Sequence, residues 1–147
     1  MTAGLLPEWG DCMAVNPKLG TALAFTLQEN LQINSRGRYR VQDGPENVRQ
    51  AVWLRIHTPL GALVLHPEYG NPVYDLLSEP MDETWPTRAA LAMRECLSYE
   101  PRIEVQAVQI KLSHEERKVQ FVITYIVLGQ PKPENVVWEG SYEPAGV

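Results

Sequence analysis

The sequence predicts an α+β domain: about three helices packed on a small, mostly antiparallel sheet with a C-terminal β-hairpin. Three observations predict it. Apolar residues recur at helical spacing within residues 45–57 and again within 84–98. From Arg102 to Gly129 the pattern becomes the period-two alternation of extended chain. The two extended runs are separated only by the polar connector "SHEER", Ser113 to Arg117, which reads as a hairpin turn.

The elements follow in order. Residues 1–20 read as an N-terminal arm, because Pro7, Gly10, Pro17 and Gly20 interrupt every pattern, while Leu5, Leu6, Trp9 and Met13 could dock. "TALAFTLQ" is a short strand with Leu23, Phe25 and Leu27 on one side, "NSRG" a turn, and "RYRVQ" a second short strand. The first helix is capped by Asp43 or Gly44. It carries Pro45 and Glu46 in its first turn and gathers Val48, Ala51, Val52 and Ile56 on one face. Pro59 and Gly61 end it; "ALVLHP" then reads as a brief strand, and Asn71-Pro72 starts a short helix through Val73, Leu76 and Leu77. The longest helix runs from Asp82 or Thr84 to about Ser98, buries Ala89, Ala92, Met93, Cys96 and Leu97, and stops before Pro101. The first hairpin strand changes parity, with Ile103 and Val105 on one side and Val108, Ile110 and Leu112 on the other, so a bulge near Ala107 is expected. Val119, Phe121, Ile123, Tyr125 and Val127 share one face of the second strand. The domain is thus expected over 21–129, with a C-terminal tail at 130–147 that contains the apolar "NVVW"; no internal repeat is apparent.

Composition narrows the function classes. A chain of 147 residues is long enough for one real core. Its net charge of −5 argues against nucleic acid, and the one tight cationic group, Arg36 to Arg40, reads as solvated surface. Cys12 and Cys96 have no CxxC spacing and read as idle thiols in a reducing compartment. The N-terminus has no leader pattern, and no run is long enough for a membrane helix, so synthesis in a cytoplasm is expected, with no membrane partner. His57, His66 and His114 are too dispersed for a metal site, and no nucleophile elbow, phosphate loop or HExxH is present, so no cofactor, metal or catalytic residue is expected. Glu68, Asp75 and Glu79 fall in one region, but acids at turns and helix starts usually cap or solvate.

Two places invite a partner. At the corner between the long helix and the hairpin, Glu100 and Arg102 project to the same side about the stiff Pro101. This is either an exposed ion pair worth about 0–1 kcal/mol or a rigid charged plug for a neighbour. The run "FVITYIVL" is apolar on both faces, an aggregation hazard unless covered. Its cover is either a strand added by a neighbour or a strand of the chain's own, from the N-terminal segment or "NVVW".

Four segments in order carry a resemblance: "ENVRQAVWLRIHTPLGALVLHPEYGNPVYDLL", "EPMDE", "EPRI" and the hairpin after Arg102. Together, over about Asp43 to Leu128, they resemble the small baseplate wedge and sheath-initiator family of contractile phage tails. That family also supplies the small baseplate subunit of type VI secretion systems and extracellular injection particles. Ala62-Leu63 stands where the family usually has a charged pair. The resemblance implies a non-enzymatic structural protein of the virion tail baseplate, assembled in the host cytoplasm as multiple copies in a six-fold ring. Its implied partners are the core bundle of the larger wedge subunits, the sheath protein, and tube or hub proteins. Glu100, Pro101 and Arg102 would meet the core bundle. Val119 to Leu128 would meet the first sheath ring and start sheath polymerisation. Alternatives within the resemblance are a secretion or other injection machine, or a non-contractile tail. Since some relatives are labelled lysozyme-like, a cell-wall hydrolase is a further alternative.

Overall fold

The computed structural model describes residues 17–26 and 30–142. Leu5, Leu6, Trp9, Cys12, Met13 and Leu27, named above, lie outside the described residues. The chain forms two compact units, Met1–Ala51 and Val52–Val147. The boundary falls inside helix α1, Gly44–His57.

In the first unit, strand β1 (Thr21–Leu23) pairs antiparallel with β2 (Val41–Asp43). Asn34 Oδ1 accepts from the amides of Arg36 and Arg38, each at 3.0 Å, and Gly37 adopts φ +74°. That side-chain-to-backbone pairing makes "NSRG" the expected turn. Gln50 of α1 holds β1 like a missing strand: its Nε2 donates to Leu23 O and its Oε1 accepts from Phe25 N, both at 2.8 Å. Buried Asn47 donates to Leu19 O at 2.9 Å. The amide side chains thereby satisfy backbone groups that such short strands leave unpaired.

In the second unit, helix α2 (Val73–Leu76) and helix α3 (Trp85–Ser98) precede a three-stranded antiparallel sheet. Its strands are β3 (Ile103–Ser113), β4 (Lys118–Val127) and β5 (Pro133–Ser141), in that spatial order. α3 buries Trp85, Ala89, Met93, Cys96 and Leu97 and packs against β3. The β3–β4 register shifts between Val105 and Ala107. This bulge is what lets Ile103, Val105, Val108, Ile110 and Leu112 all oppose the buried residues Val127, Tyr125, Ile123, Phe121 and Val119.

One expectation is corrected, and one alternative that the sequence left open is decided. "ALVLHP" is not a strand: consecutive turns take up its backbone, with Ala62 N bonded to Pro59 O and His66 N to Leu63 O, both at 3.1 Å. Among the described residues no strand lies beside it, and Val64 and Leu65 are left 92% and 88% exposed. Also, β4 is not an edge. β5, which contains "NVVW", pairs along it from Lys118↔Ser141 to Ile126↔Pro133.

The motif Tyr69-Gly70-Asn71 ties this unit together. Asn71 is fully buried; its Nδ2 donates to Ile56 O at 2.9 Å and its Oδ1 accepts from Val73 N at 3.0 Å. Gly70 sits at φ +129°, and a Cβ there would stand 2.7 Å from the carbonyl oxygens of both Thr58 and Pro59. Only glycine fits. Gly70→Ala is therefore expected to cost about 2 kcal/mol or more, read as a lower urea midpoint at unchanged slope.

Candidate functional site

The corner is built by the end of α3 and the start of β3. The Glu100 amide closes the helix on Leu97 O at 3.1 Å, and Ile103 N returns to Glu100 O at 3.4 Å. Pro101 fixes the bend between them. Arg102 Nε donates to Glu100 Oε1 at 2.5 Å and Nη2 to Oε2 at 2.7 Å, a two-pronged pair. The Arg102 amide also reaches Glu100 Oε1, at 3.3 Å.

This is not the exposed ion pair that the sequence allowed as one reading. The Glu100 side chain is only 6% exposed and that of Arg102 24%. Burial pushes the Glu100 carboxyl up. The hydrogen bonds and charge of Arg102, with the charge of Arg55 behind them, outweigh it and hold the carboxyl below its usual range. The same pairing raises Arg102 above its ordinary value.

Arg55 is the member of this cluster that sequence reasoning missed. Its guanidinium lies 4.4 Å from the centre of the Tyr69 ring, a cation–π seat. The helical phase of Arg55 sets it at a half-buried position of α1, but its relation to Glu100 spans 45 residues and leaves no local signal. Arg55, His66, Glu68, Tyr69 and Tyr99 line a groove of about 240 Å³. A second groove, of about 310 Å³, runs beside the corner itself, with Pro101, Arg102 and Glu104 on one side and Ile126, Leu128 and Gly129 on the other.

The second predicted set stands elsewhere. Val119, Phe121, Ile123, Tyr125 and Val127 are all buried in the chain's own core. Trp138 of β5 covers Phe121, with ring centres 5.3 Å apart, and Tyr125 OH donates to Glu134 Oε2 at 3.3 Å. In the three-stranded sheet, the edges left without a partner strand among the described residues are those of β3 and β5.

The acids weighed for catalysis are exposed. Glu68 lies 3.8 Å from His66, Glu79 pairs with Arg88 at 2.5 Å, and Asp75 is exposed at the start of α2. Buried Cys96 donates to Gly70 O at 3.0 Å, and burial pushes its thiol up to about 11. It is a packing thiol, not a nucleophile. Among the described residues no group of three or more His, Cys, Asp or Glu could hold a metal ion.

Residues 42–132 match the Baseplate wedge protein gp25 family. The chain belongs to that family. It is a structural baseplate wedge protein of the gp25 kind. Three solved structures share its fold. A chain of the anti-feeding prophage baseplate aligns at TM-score 0.64 and 18% identity, covering 78% of this chain and 90% of its own. A candidate tail lysozyme from Geobacter sulfurreducens aligns at TM-score 0.61 and 21% identity, covering 69% and 93%. A chain of the post-contraction pyocin R2 baseplate aligns at TM-score 0.55 and 25% identity, covering 68% and 100%. Nothing among curated protein sequences matches the chain. The family match spans α1 through β4 and stops one residue before β5.

Proposed function

We propose that this gp25-family protein joins the core bundle of the larger wedge subunits to the tube and sheath, and starts sheath polymerisation without catalysing a reaction. The carrying observation is the Glu100–Arg102 pair, locked at a proline-braced corner of a family-matched domain. A charge pair fixed before binding loses little side-chain entropy when a partner closes over it. Its neighbouring groove gives that partner apolar walls in Ile126 and Leu128. Arg102→Ala is expected to leave a folded monomer by circular dichroism. It should not co-elute with the larger wedge subunits in gel filtration. Normal co-elution would mean that the corner is not the wedge contact.

For the sheath, the added strand pairs with the outer edge of β3 or β5. Val119 to Val127 then serve as the buried floor that keeps the ribbon rigid, not as the contacting atoms. An added strand with six backbone hydrogen bonds at about 0.5–1.5 kcal/mol each gives roughly 3–9 kcal/mol before ordering costs. The non-enzymatic reading is supported by the exposure of Glu68, Asp75 and Glu79, since a glycosidase acid needs an apolar pocket to stay protonated. Reproducible clearing of peptidoglycan by the purified protein, lost in Glu68→Gln, would overturn it.

A further inference from the structure

Three short segments of the first unit close on one another in a ring. Ala24 N donates to Arg40 O at 2.9 Å, Gln32 N to Ala24 O at 2.9 Å, and Arg40 N to Gln32 O at 2.8 Å. The turn "NSRG" joins the second segment to the third. Gly37 N donates to Asn34 O at 3.0 Å and Asn34 N to Arg38 O at 2.8 Å, and the bridge between Ile33 and Tyr39 lies directly behind them.

Asn34 differs chemically from every other asparagine in the chain. The carbonyl carbon of an asparagine side chain is open to attack by the backbone nitrogen of the next residue. That nitrogen must carry a hydrogen, be free of a hydrogen bond, and not be crowded by a bulky side chain. Asn16 and Asn71 precede prolines, whose nitrogen has no hydrogen. Asn30 precedes Leu31, and Asn47 and Asn135 precede the stiff, branched Val48 and Val136. Only Asn34 precedes a small residue, Ser35. Both are exposed. The Ser35 amide and Asn34 Nδ2 make no hydrogen bond among the described residues, so the attacking and the leaving nitrogen are both free. The two amides on Asn34 Oδ1, those of Arg36 and Arg38 at 3.0 Å each, curl the side chain forward over the Ser35 peptide. They also place two donors on the oxygen that becomes negative during attack.

We propose that Asn34 is a self-modifying site, which loses its side-chain amide through a cyclic imide. The Ser35 nitrogen bonds to Asn34 Cγ and gives up its proton; the Cγ–Nδ2 bond breaks, and Nδ2 leaves as ammonia. Water then opens the imide. Attack at Cγ leaves an aspartate at position 34 in an ordinary main chain. Attack at the backbone carbonyl carbon leaves an isoaspartate, with the main chain running through Cγ. The sum is one water consumed and one ammonia released, with nothing oxidised or reduced. The two products differ in effect. The aspartate keeps an acceptor for the Arg36 and Arg38 amides and adds a negative charge to the segment that carries Arg36, Arg38 and Arg40. The isoaspartate lengthens the main chain by a methylene, so the turn no longer holds Ile33 against Tyr39 and the ring opens there.

The test incubates the purified full chain in mildly alkaline buffer, folded and, in parallel, unfolded in urea, and follows every asparagine by peptide mass spectrometry. Exchange of ammonia for water raises the mass of the affected peptide, and fragmentation locates the change. Isomerisation at Asp43-Gly44 leaves mass unchanged and does not interfere. In the folded chain, conversion is expected at Asn34 alone, at a rate within about ten-fold of that in urea, because the turn already holds the reacting groups together. No conversion at Asn34, conversion slower than that margin, or equal conversion at Asn30 or Asn135 overturns the proposal. Ser35→Val is expected to slow the reaction by about ten-fold or more, with an unchanged circular dichroism spectrum. An unchanged rate in the folded variant overturns the proposal as well. If that variant does not fold, the comparison of the folded and unfolded parent decides alone.

Discussion

Glu100→Ala is expected to be the most destabilising single loss of charge in the Val52–Val147 unit, at about 3 kcal/mol. The carboxylate is nearly inaccessible and serves two guanidiniums, Arg102 by direct hydrogen bonds and Arg55 through its charge. Removing it takes from both cations the carboxylate they share at a partly closed corner. Arg102 keeps some contact with water, which sets the cost near the lower end for a broken buried pair. A typical domain of this size has only about 5–15 kcal/mol in total, so the variant should melt well below the parent. Arg102→Ala should cost less, because Glu100 can then take up a proton or lean on Arg55. A double-mutant cycle between positions 100 and 102 measures their coupling directly. Equal stability of Glu100→Ala and the parent would show that the pair contributes nothing to the fold.

The same residue gives a pH signature with a definite sign. The folded carboxyl sits below its usual range, so the unfolded chain binds a proton first. Its stabilisation is fully present above the unfolded value of about 4.3 and is lost as pH falls through the folded value. Urea midpoints of the parent and of Glu100→Gln should therefore differ at neutral pH and converge below about pH 4. A gap that persists unchanged into acid would assign the effect to packing, not to charge.

How much was legible beforehand depended on the reach of each signal. Local signals read well. The stripe Val48, Val52 and Ile56 is fully buried, and so are Ala89 and Met93. The bulge was visible as a parity switch between Val105 and Val108, because a strand facing a core must keep its apolar residues on one side. Non-local signals did not read. "ALVLHP" has the composition of a strand, yet a strand needs a partner, and the turns from Pro59 to Tyr69 leave it none. The ring through Ala24, Gln32 and Arg40 depends on a pairing that skips a whole segment. At the corner, the acid, the proline and the arginine were all legible from one triplet. Their depth of burial and the third charge, Arg55, were not, since both are set by the packing of α1 and the Tyr69 turn around them.

Deleting residues 133–147 is expected to abolish folding of the second unit, although the family match ends at residue 132. β5 removes two liabilities at once. It pairs β4 along its length, hiding an edge whose residues Val122 and Ile126 are apolar on the side away from the core as well. It also supplies Trp138, which is fully buried, meets Phe121 and Tyr74 edge to face, and donates from Nε1 to Tyr74 OH at 3.3 Å. Trp138→Ala alone should cost about 3–5 kcal/mol, because no neighbour can refill so large a space. The fit around that ring is tight enough to test from the other direction. A Cβ on Gly140 would stand 2.6 Å from the Trp138 ring and 3.0 Å from Leu77 Cδ1, so Gly140→Ala should cost about 1–3 kcal/mol by overpacking. Thermal melts should place Trp138→Ala below Gly140→Ala, and the deletion variant should show no cooperative transition for the second unit. A soluble 1–132 fragment melting at the parent temperature would show that β5 is an appendage, and would return the outer edge of β4 to a partner's strand.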